Sequence, residues 1–99
     1  MASTKTVKEL YDDCSSTELY RRAYCFGVMA GASQIMELLG DEPEVRRIVP
    51  REIMCLEQPL TAEVKAQAFQ IWALRNPKLW DSPGSIGVIM ALSATWPCP

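Results

Sequence analysis

Apolar residues recur at helical spacing in four segments of the chain. In the first segment, four of them fall at positions i, i+3, i+4 and i+7, which form one face of a helix: Val7, Leu10, Tyr11 and Cys14. Thr6 and Glu9 stand around the start of this face as a capping box, which is a sequence signature of a helix N-terminus. No segment alternates apolar and polar residues with the two-residue period of a strand. The pattern therefore predicts an all-α fold.

A second helix is predicted to start at Ser16 and to stop at Gly40. Ser15 and Glu18 supply a capping box at its start. Residues 23–32 are apolar on every side, which is typical of a helix that other elements surround in a soluble protein. We therefore expect this helix to be the central element of the fold.

Small residues repeat every four positions along the second helix, at Ala23, Gly27 and Gly31. Such a stripe allows another helix to approach closely, because no long side chain keeps the two backbones apart. It fits either a contact inside the monomer or the interface of a homodimer. Of the two, the contact inside the monomer is favoured.

Two further helices are predicted in the second half of the chain. One begins at Thr61 and ends at Asn76-Pro77, and its inner face comprises Val64, Ala68, Ile71 and Trp72. The other has Ser82 as its N-cap and Pro83 at its first position, and it ends at Trp96. Its predicted inner face comprises Ile86, Ile89, Met90 and Ser93. Together the segments predict a compact bundle of about four to five helices.

Two stretches outside the predicted helices contain the candidate partner-binding residues. The first stretch, residues 40–54, mixes acidic and basic side chains with two prolines, and we expect it to form a surface excursion that could enter a partner's cleft. Its candidates are Asp41, Glu42, Glu44, Arg46 and Arg47. The second stretch connects the last two helices. There Trp80, with Lys78 and Asp81, would form an interface anchor if it is exposed, since tryptophan is enriched among interface hot spots.

The composition argues against most catalytic chemistry. The 99 residues include no histidine, so that neither a histidine-activated nucleophile nor a histidine metal site can form. We expect no enzyme, no catalytic residue, no metal and no cofactor. Ten basic and twelve acidic residues give a net charge of −2, which argues against nucleic acid or an anionic membrane as a partner. The length predicts a single domain over residues 1–99.

Four cysteines could form two disulfides that stabilise this small chain, and this interpretation is favoured over buried thiols. A zinc site is disfavoured because no CxxC spacing occurs and the sequence has no histidine. If the second helix starts at Ser16, Cys25 lies roughly 14 Å from Cys14 at the helical rise. A disulfide joins α-carbons within about 7 Å, which disfavours Cys14–Cys25. Two sets of pairs remain: Cys25–Cys55 with Cys14–Cys98, and the crossed set of Cys14–Cys55 with Cys25–Cys98. The first set is preferred because it ties the central helix to the start of the third and pins the chain ends.

Disulfides imply an oxidising compartment, yet the polar N-terminus contains no signal peptide. The longest near-apolar run, residues 23–32, is about half as long as a membrane-spanning helix. We expect a periplasmic protein whose signal peptide, removed on export, is not part of this sequence.

Six short motifs follow one another in a recognisable order: DCSS at 13–16, AYCFGVMAG at 23–31, MCL at 54–56, PLT at 59–61, NP at 76–77, and a terminal WPC at 96–98. This order resembles the Rap/Tai family of immunity proteins, which protect bacteria against peptidoglycan amidases delivered by type VI secretion. The resemblance covers roughly residues 10–98. It implies a small periplasmic all-helical protein, commonly a homodimer, that binds a secreted amidase and blocks its active-site cleft. The family's shared motif positions are structural, so no catalytic residue is carried over.

A function of a different class is also open. A periplasmic chaperone of the acid-stress type would be helical and disulfide-bonded too, and it would expose an apolar dimer face when its carboxylates become protonated. Light scattering of a client protein at about pH 2–3 separates the two hypotheses, because a chaperone suppresses the aggregation of the client and an immunity protein does not.

Overall fold

The computed structural model describes residues 5–41 and 60–97, and within these ranges it contains four α-helices. The helices are α1 (Val7–Ser15), α2 (Leu19–Asp41), α3 (Ala62–Arg75) and α4 (Gly84–Thr95), with a short 3-10 helix at Pro77–Leu79. Each α-helix contacts the other three. In the part of the chain that the structure describes, the fold is all-helical, as predicted, and an isolated bridge between Thr6 and Pro83 is the one strand-type pairing.

Helix α1 begins with the predicted capping box. The hydroxyl of Thr6 accepts a hydrogen bond from the backbone N–H of Glu9 at 3.2 Å, and the Glu9 carboxylate accepts one from the N–H of Thr6 at 3.1 Å. These two bonds satisfy N–H groups that a helix start otherwise leaves without partners. The apolar face that follows is confirmed as well, since Val7, Leu10 and Cys14 are buried in the core.

Helix α2 begins at Leu19, three residues later than predicted. Ser16 does not start the helix, because its own N–H donates to the carbonyl of Asp13 and closes the end of α1. Its hydroxyl accepts from the N–H of Glu18 at 3.0 Å, which is a local turn contact. Residues 16–18 therefore turn the chain between the two helices.

A disulfide joins Cys14 to Cys25, with 5.1 Å between the α-carbons. The predicted pairs Cys25–Cys55 and Cys14–Cys98 are therefore wrong, and so are the crossed pairs. The prediction treated Cys14 and Cys25 as points along one helix, whereas the turn at 16–18 brings the second turn of α2 beside the last turn of α1. In the chain-entropy model a closed loop of this size contributes about 3 kcal/mol. Cys55 and Cys98 lie outside the described residues.

The start of α3 agrees with the prediction, but its inner face does not. The Thr61 hydroxyl caps the helix by accepting from the N–H of Val64. Val64 and Ile71, both predicted to face inward, are exposed. The buried residues are instead Lys65, Ala66, Phe69 and Ala73. The buried face therefore combines the large ring of Phe69 with the small side chains of Ala66 and Ala73.

The buried face of α4 also differs from the predicted one. The predicted inner residues Ile86, Ile89 and Met90 are all exposed, and the buried residues are Gly84, Gly87, Val88, Ala91 and Leu92. The helix is apolar around its whole circumference, so the spacing of apolar residues could not identify its buried side. An added Cβ at Gly87 would lie 2.6 Å from Cγ2 of Val7, which explains why a residue without a side chain is needed there.

The segment before α1 holds the start of α4 in place. The N–H of Gly84 donates to the carbonyl of Lys5 at 2.7 Å, and the N–H of Val7 donates to the carbonyl of Ser82 at 2.9 Å. Ser82 was predicted to be the N-cap of α4, but this prediction is wrong. The N-cap is Pro83, the helix begins at Gly84, and no side chain caps it. The two backbone bonds fix the first turns of α1 and α4 against each other.

No helix within the described ranges has the combination of length and hydropathy that crossing a membrane requires.

Candidate functional site

Trp80 lies between α3 and α4 as a rigid, half-buried aromatic side chain. Its indole N–H donates to the carbonyl of Ala73 in the last turn of α3 at 2.8 Å, and its ring packs against the core. Its backbone carbonyl accepts from the N–H of Lys8 at 3.1 Å. Hydrogen bonds therefore hold both the backbone and the indole of Trp80, while part of the residue remains open to solvent.

Side chains of α1 surround the exposed part of this ring. The ammonium of Lys8 lies 5.5 Å from the centre of the Trp80 ring and 5.8 Å from that of Tyr11, within cation–π range. It also forms an ion pair with Asp12 at 2.5 Å. We call the four residues Lys8, Tyr11, Asp12 and Trp80, together with the exposed Lys78 and Asp81, the Trp80 surface.

The candidate residues from the sequence differ in where the structure places them. Lys78, Trp80 and Asp81 lie together in the α3–α4 connection, with Lys78 and Asp81 exposed. Asp41 is the last residue of α2. Glu42, Glu44, Arg46 and Arg47 lie outside the described residues. Of the two predicted surfaces, the Trp80 surface is thus the one whose geometry can be described.

A second surface lies on the side of α2 that faces away from the bundle. Helix α2 was predicted to be surrounded, but its outward side is exposed over most of its length. We call its residues Tyr20, Tyr24, Gly27, Gly31 and Ile35 the α2 face. Tyr20 is 83% exposed and Ile35 59% exposed, and no charged residue occurs from position 23 to position 36. An apolar helix side of this length is unusual on the surface of a soluble monomer.

The small residues of α2 do not form a close contact inside the described fold. An added Cβ at Gly27 or at Gly31 would meet no heavy atom within 4 Å among the described residues. Within the described residues, these two glycines therefore do not make the contact inside the monomer that the sequence favoured. They leave room on the outward side of α2, where a helix of another molecule could approach closely.

A buried carboxylate connects the ends of α1 and α2. Asp13 is 2% exposed, and its two oxygens accept from Lys5 at 2.5 Å and from Arg21 at 2.9 Å. Burial raises the pKa of Asp13, but the hydrogen bonds and the positive charges of Lys5 and Arg21 outweigh burial, so the pKa lies below its ordinary value. This cluster stabilises the turn beside the Cys14–Cys25 disulfide.

Sequence reasoning missed the contribution of α1 to the Trp80 surface. The contact of Lys8 with Trp80 joins positions 72 residues apart, which helical periodicity cannot reveal. An interaction surface on α2 could have been predicted from the sequence, because a long apolar stretch of an exposed helix marks a site of protein interaction. Among the described residues, no group of cysteine, aspartate and glutamate side chains could hold a metal ion.

Comparison with known proteins identifies the family. The profile of the Rap1a immunity proteins matches residues 6–98, which is nearly the whole chain. The chain belongs to the Rap1a immunity protein family. This agrees with the resemblance found in the sequence motifs and makes a secreted effector the expected partner. Neither the curated proteins nor the solved structures include a match to the chain.

Proposed function

We propose that this member of the Rap1a immunity family acts in the periplasm, where it inhibits a secreted peptidoglycan amidase by covering its active-site cleft, without any catalytic activity of its own. The observation that carries the proposal is the family match over residues 6–98. The Cys14–Cys25 disulfide supports an oxidising compartment. The absence of histidine from the sequence supports inhibition by steric exclusion.

The Trp80 surface is the part of the molecule that we assign to the effector. A partner gains most from side chains that are already ordered, because binding then costs little conformational entropy. Trp80 meets this condition through its bond to Ala73 and the contact of Lys8 with its ring. Lys78 and Asp81 would supply polar contacts at the rim, around an aromatic centre.

We assign the α2 face to a homodimer, as the family resemblance implies. The face is uncharged in its middle, its two glycines allow close approach, and its tyrosines and Ile35 flank them. Two copies crossing antiparallel at Gly27 and Gly31 would place Tyr24 of one copy near Ile35 of the other. Such a contact obeys two-fold symmetry, the commonest arrangement in homo-oligomers. A helix of 23 residues is about 35 Å long, enough for an extended contact.

If an amidase effector is encoded next to the gene of this chain, complex formation with that enzyme tests the proposed function. We expect the purified chain and the catalytically inactive amidase to elute together in size-exclusion chromatography and to bind in calorimetry with a Kd in the nanomolar range, about −12 kcal/mol. A matched control is an amidase effector from an unrelated locus, which should not bind. If the neighbouring amidase does not bind at micromolar concentrations, the chain does not act as its inhibitor.

A further inference from the structure

A cleft of about 330 Å³ lies between the α1–α2 turn and one side of α3, away from Trp80. Helix α3 contributes four residues at i, i+3, i+4 and i+7, which therefore share one face: Glu63, Ala66, Gln67 and Gln70. Arg22 and Phe26 line the opposite side from α2. The volume falls at the lower end of the range for small-molecule sites, which run from about 300 to 1,000 Å³.

One cation and one anion line this cleft without neutralising each other. The guanidinium of Arg22 lies 5.5 Å from the centre of the Phe26 ring, which holds it over the cleft wall. Neither Arg22 nor Glu63 forms an ion pair with any described residue. The cleft therefore offers separate positions for a negative and for a positive group of one ligand.

Uncharged hydrogen-bonding groups line the same cleft. The amide of Gln70 donates to the hydroxyl of Ser15 at 3.1 Å, which fixes that side chain across the α1–α3 boundary. The amide of Gln67 makes no hydrogen bond with a described residue, so both its donor and its acceptor are open to a ligand. A side-chain amide presents N–H donors beside a carbonyl acceptor, so it can pair with both the N–H and the carbonyl of a peptide bond. Ala66 and Phe26 contribute apolar surface to the wall of the cleft.

We propose that the cleft binds a short zwitterionic peptide of two or three residues. Its terminal carboxylate pairs with Arg22, its terminal ammonium pairs with Glu63, and its peptide bond pairs with Gln67. The Trp80 surface and the α2 face do not contribute to this site. Peptide binding in the cleft can therefore be tested separately from amidase inhibition.

Titration of the isotope-labelled protein with the dipeptide alanyl-alanine tests the site by NMR. We expect saturable chemical-shift changes at Arg22, Phe26, Gln67 and Gln70, with a Kd of about 1 mM or below. The control ligand is N-acetyl-alanyl-alanine amide, which keeps the dipeptide backbone but has neither charge and should not saturate. The readout needs no amidase, so it is separate from the test of inhibition.

Two variants connect the binding to the charges. Arg22→Gln and Glu63→Gln should each weaken dipeptide binding about tenfold, the effect of one charge-assisted hydrogen bond. Arg75→Gln, an exposed change on α3 outside the cleft, is the control and should bind like the wild type. The proposal is wrong if alanyl-alanine gives no saturable shifts, if the blocked dipeptide binds equally well, or if both cleft variants retain wild-type affinity.

Discussion

Asp13 shows how a single residue can hold two helices and the N-terminal segment together. Its buried carboxylate accepts from Lys5, ahead of α1, and from Arg21 in the first turn of α2. Both cationic side chains are partly open to solvent, with 38% and 44% exposure, so screening reduces the value of each contact. The carboxylate itself is shielded, and its loss would leave two cations facing a neutral group.

Replacing Asp13 by Asn should lower the free energy of unfolding by about 1–3 kcal/mol, because it removes two charge-assisted hydrogen bonds at a buried position. Urea unfolding measures this change. The matched control is Asp12→Asn, which affects only the exposed i,i+4 pair with Lys8 and should cost under about 0.5 kcal/mol. Equal losses in the two variants would show that the Asp13 cluster has no special role.

The same carboxylate gives the fold a defined response to acid. The pKa of Asp13 in the folded chain lies below the ordinary value of 3.8, so the unfolded chain takes up the proton first as the pH falls. The stabilisation is therefore complete above about pH 5 and is lost as the pH falls through the folded-state pKa. The stability difference between wild type and Asp13→Asn should shrink below pH 3.8 in urea titrations. A difference that stays constant down to pH 2 would contradict this account.

Gly87 and Gly27 are both helical glycines, but their surroundings predict opposite effects of an added methyl group. At Gly87 a Cβ would lie 2.6 Å from Val7 and 3.3 Å from Trp72, so Gly87→Ala should destabilise the fold by about 1–3 kcal/mol. At Gly27 the space is open, and Gly27→Ala should stabilise the monomer by about 0.5–1 kcal/mol through helix propensity. Thermal unfolding of the two variants at low concentration measures both signs, and a shared sign would contradict the packing described for one of them.

At the scale of helices, the homodimer proposed for the α2 face links helix packing to assembly. A larger side chain at its centre should act on the dimer and leave the monomer folded. Gly27→Leu should therefore lower the dimer fraction at least about tenfold in analytical ultracentrifugation, because in the proposed dimer it would separate the two α2 helices where they approach each other most closely. Ile86→Ala, on the exposed side of α4, is the control and should dimerise normally. An unchanged dimer in Gly27→Leu would place self-association on another surface.

Helix starts were more predictable than helix faces. The capping residues Thr6 and Thr61 identified two starts, because a cap is a local contact between residues three positions apart. The buried faces of α3 and α4 could not be read in this way. In both helices large apolar residues occur on the buried and on the exposed side, since Phe69 and Leu92 are buried whereas Ile71 and Ile89 are exposed. Which side is buried depends on how closely the neighbouring helices approach, and that is a property of the assembled bundle.

At the scale of the whole molecule, the all-helical fold and the family followed from the sequence, but the connections between distant parts did not. The Cys14–Cys25 pairing depends on the direction of the turn at residues 16–18, which residue spacing along a helix does not specify. The Trp80 surface could be predicted only in part. Trp80 itself stood out as an aromatic residue in a polar connection, whereas its contact with Lys8 depends on how α1 packs against the end of α3.

A titration of peptidoglycan hydrolysis tests the central claim most directly. An amidase effector from the same gene neighbourhood would be titrated with the wild-type chain and with Trp80→Ala and Arg47→Ala, each first shown to be folded by circular dichroism. The account predicts stoichiometric inhibition by the wild type, a loss of at least about tenfold in affinity for Trp80→Ala, and a smaller effect of Arg47→Ala. No inhibition by the wild type, or full inhibition by Trp80→Ala, would contradict it.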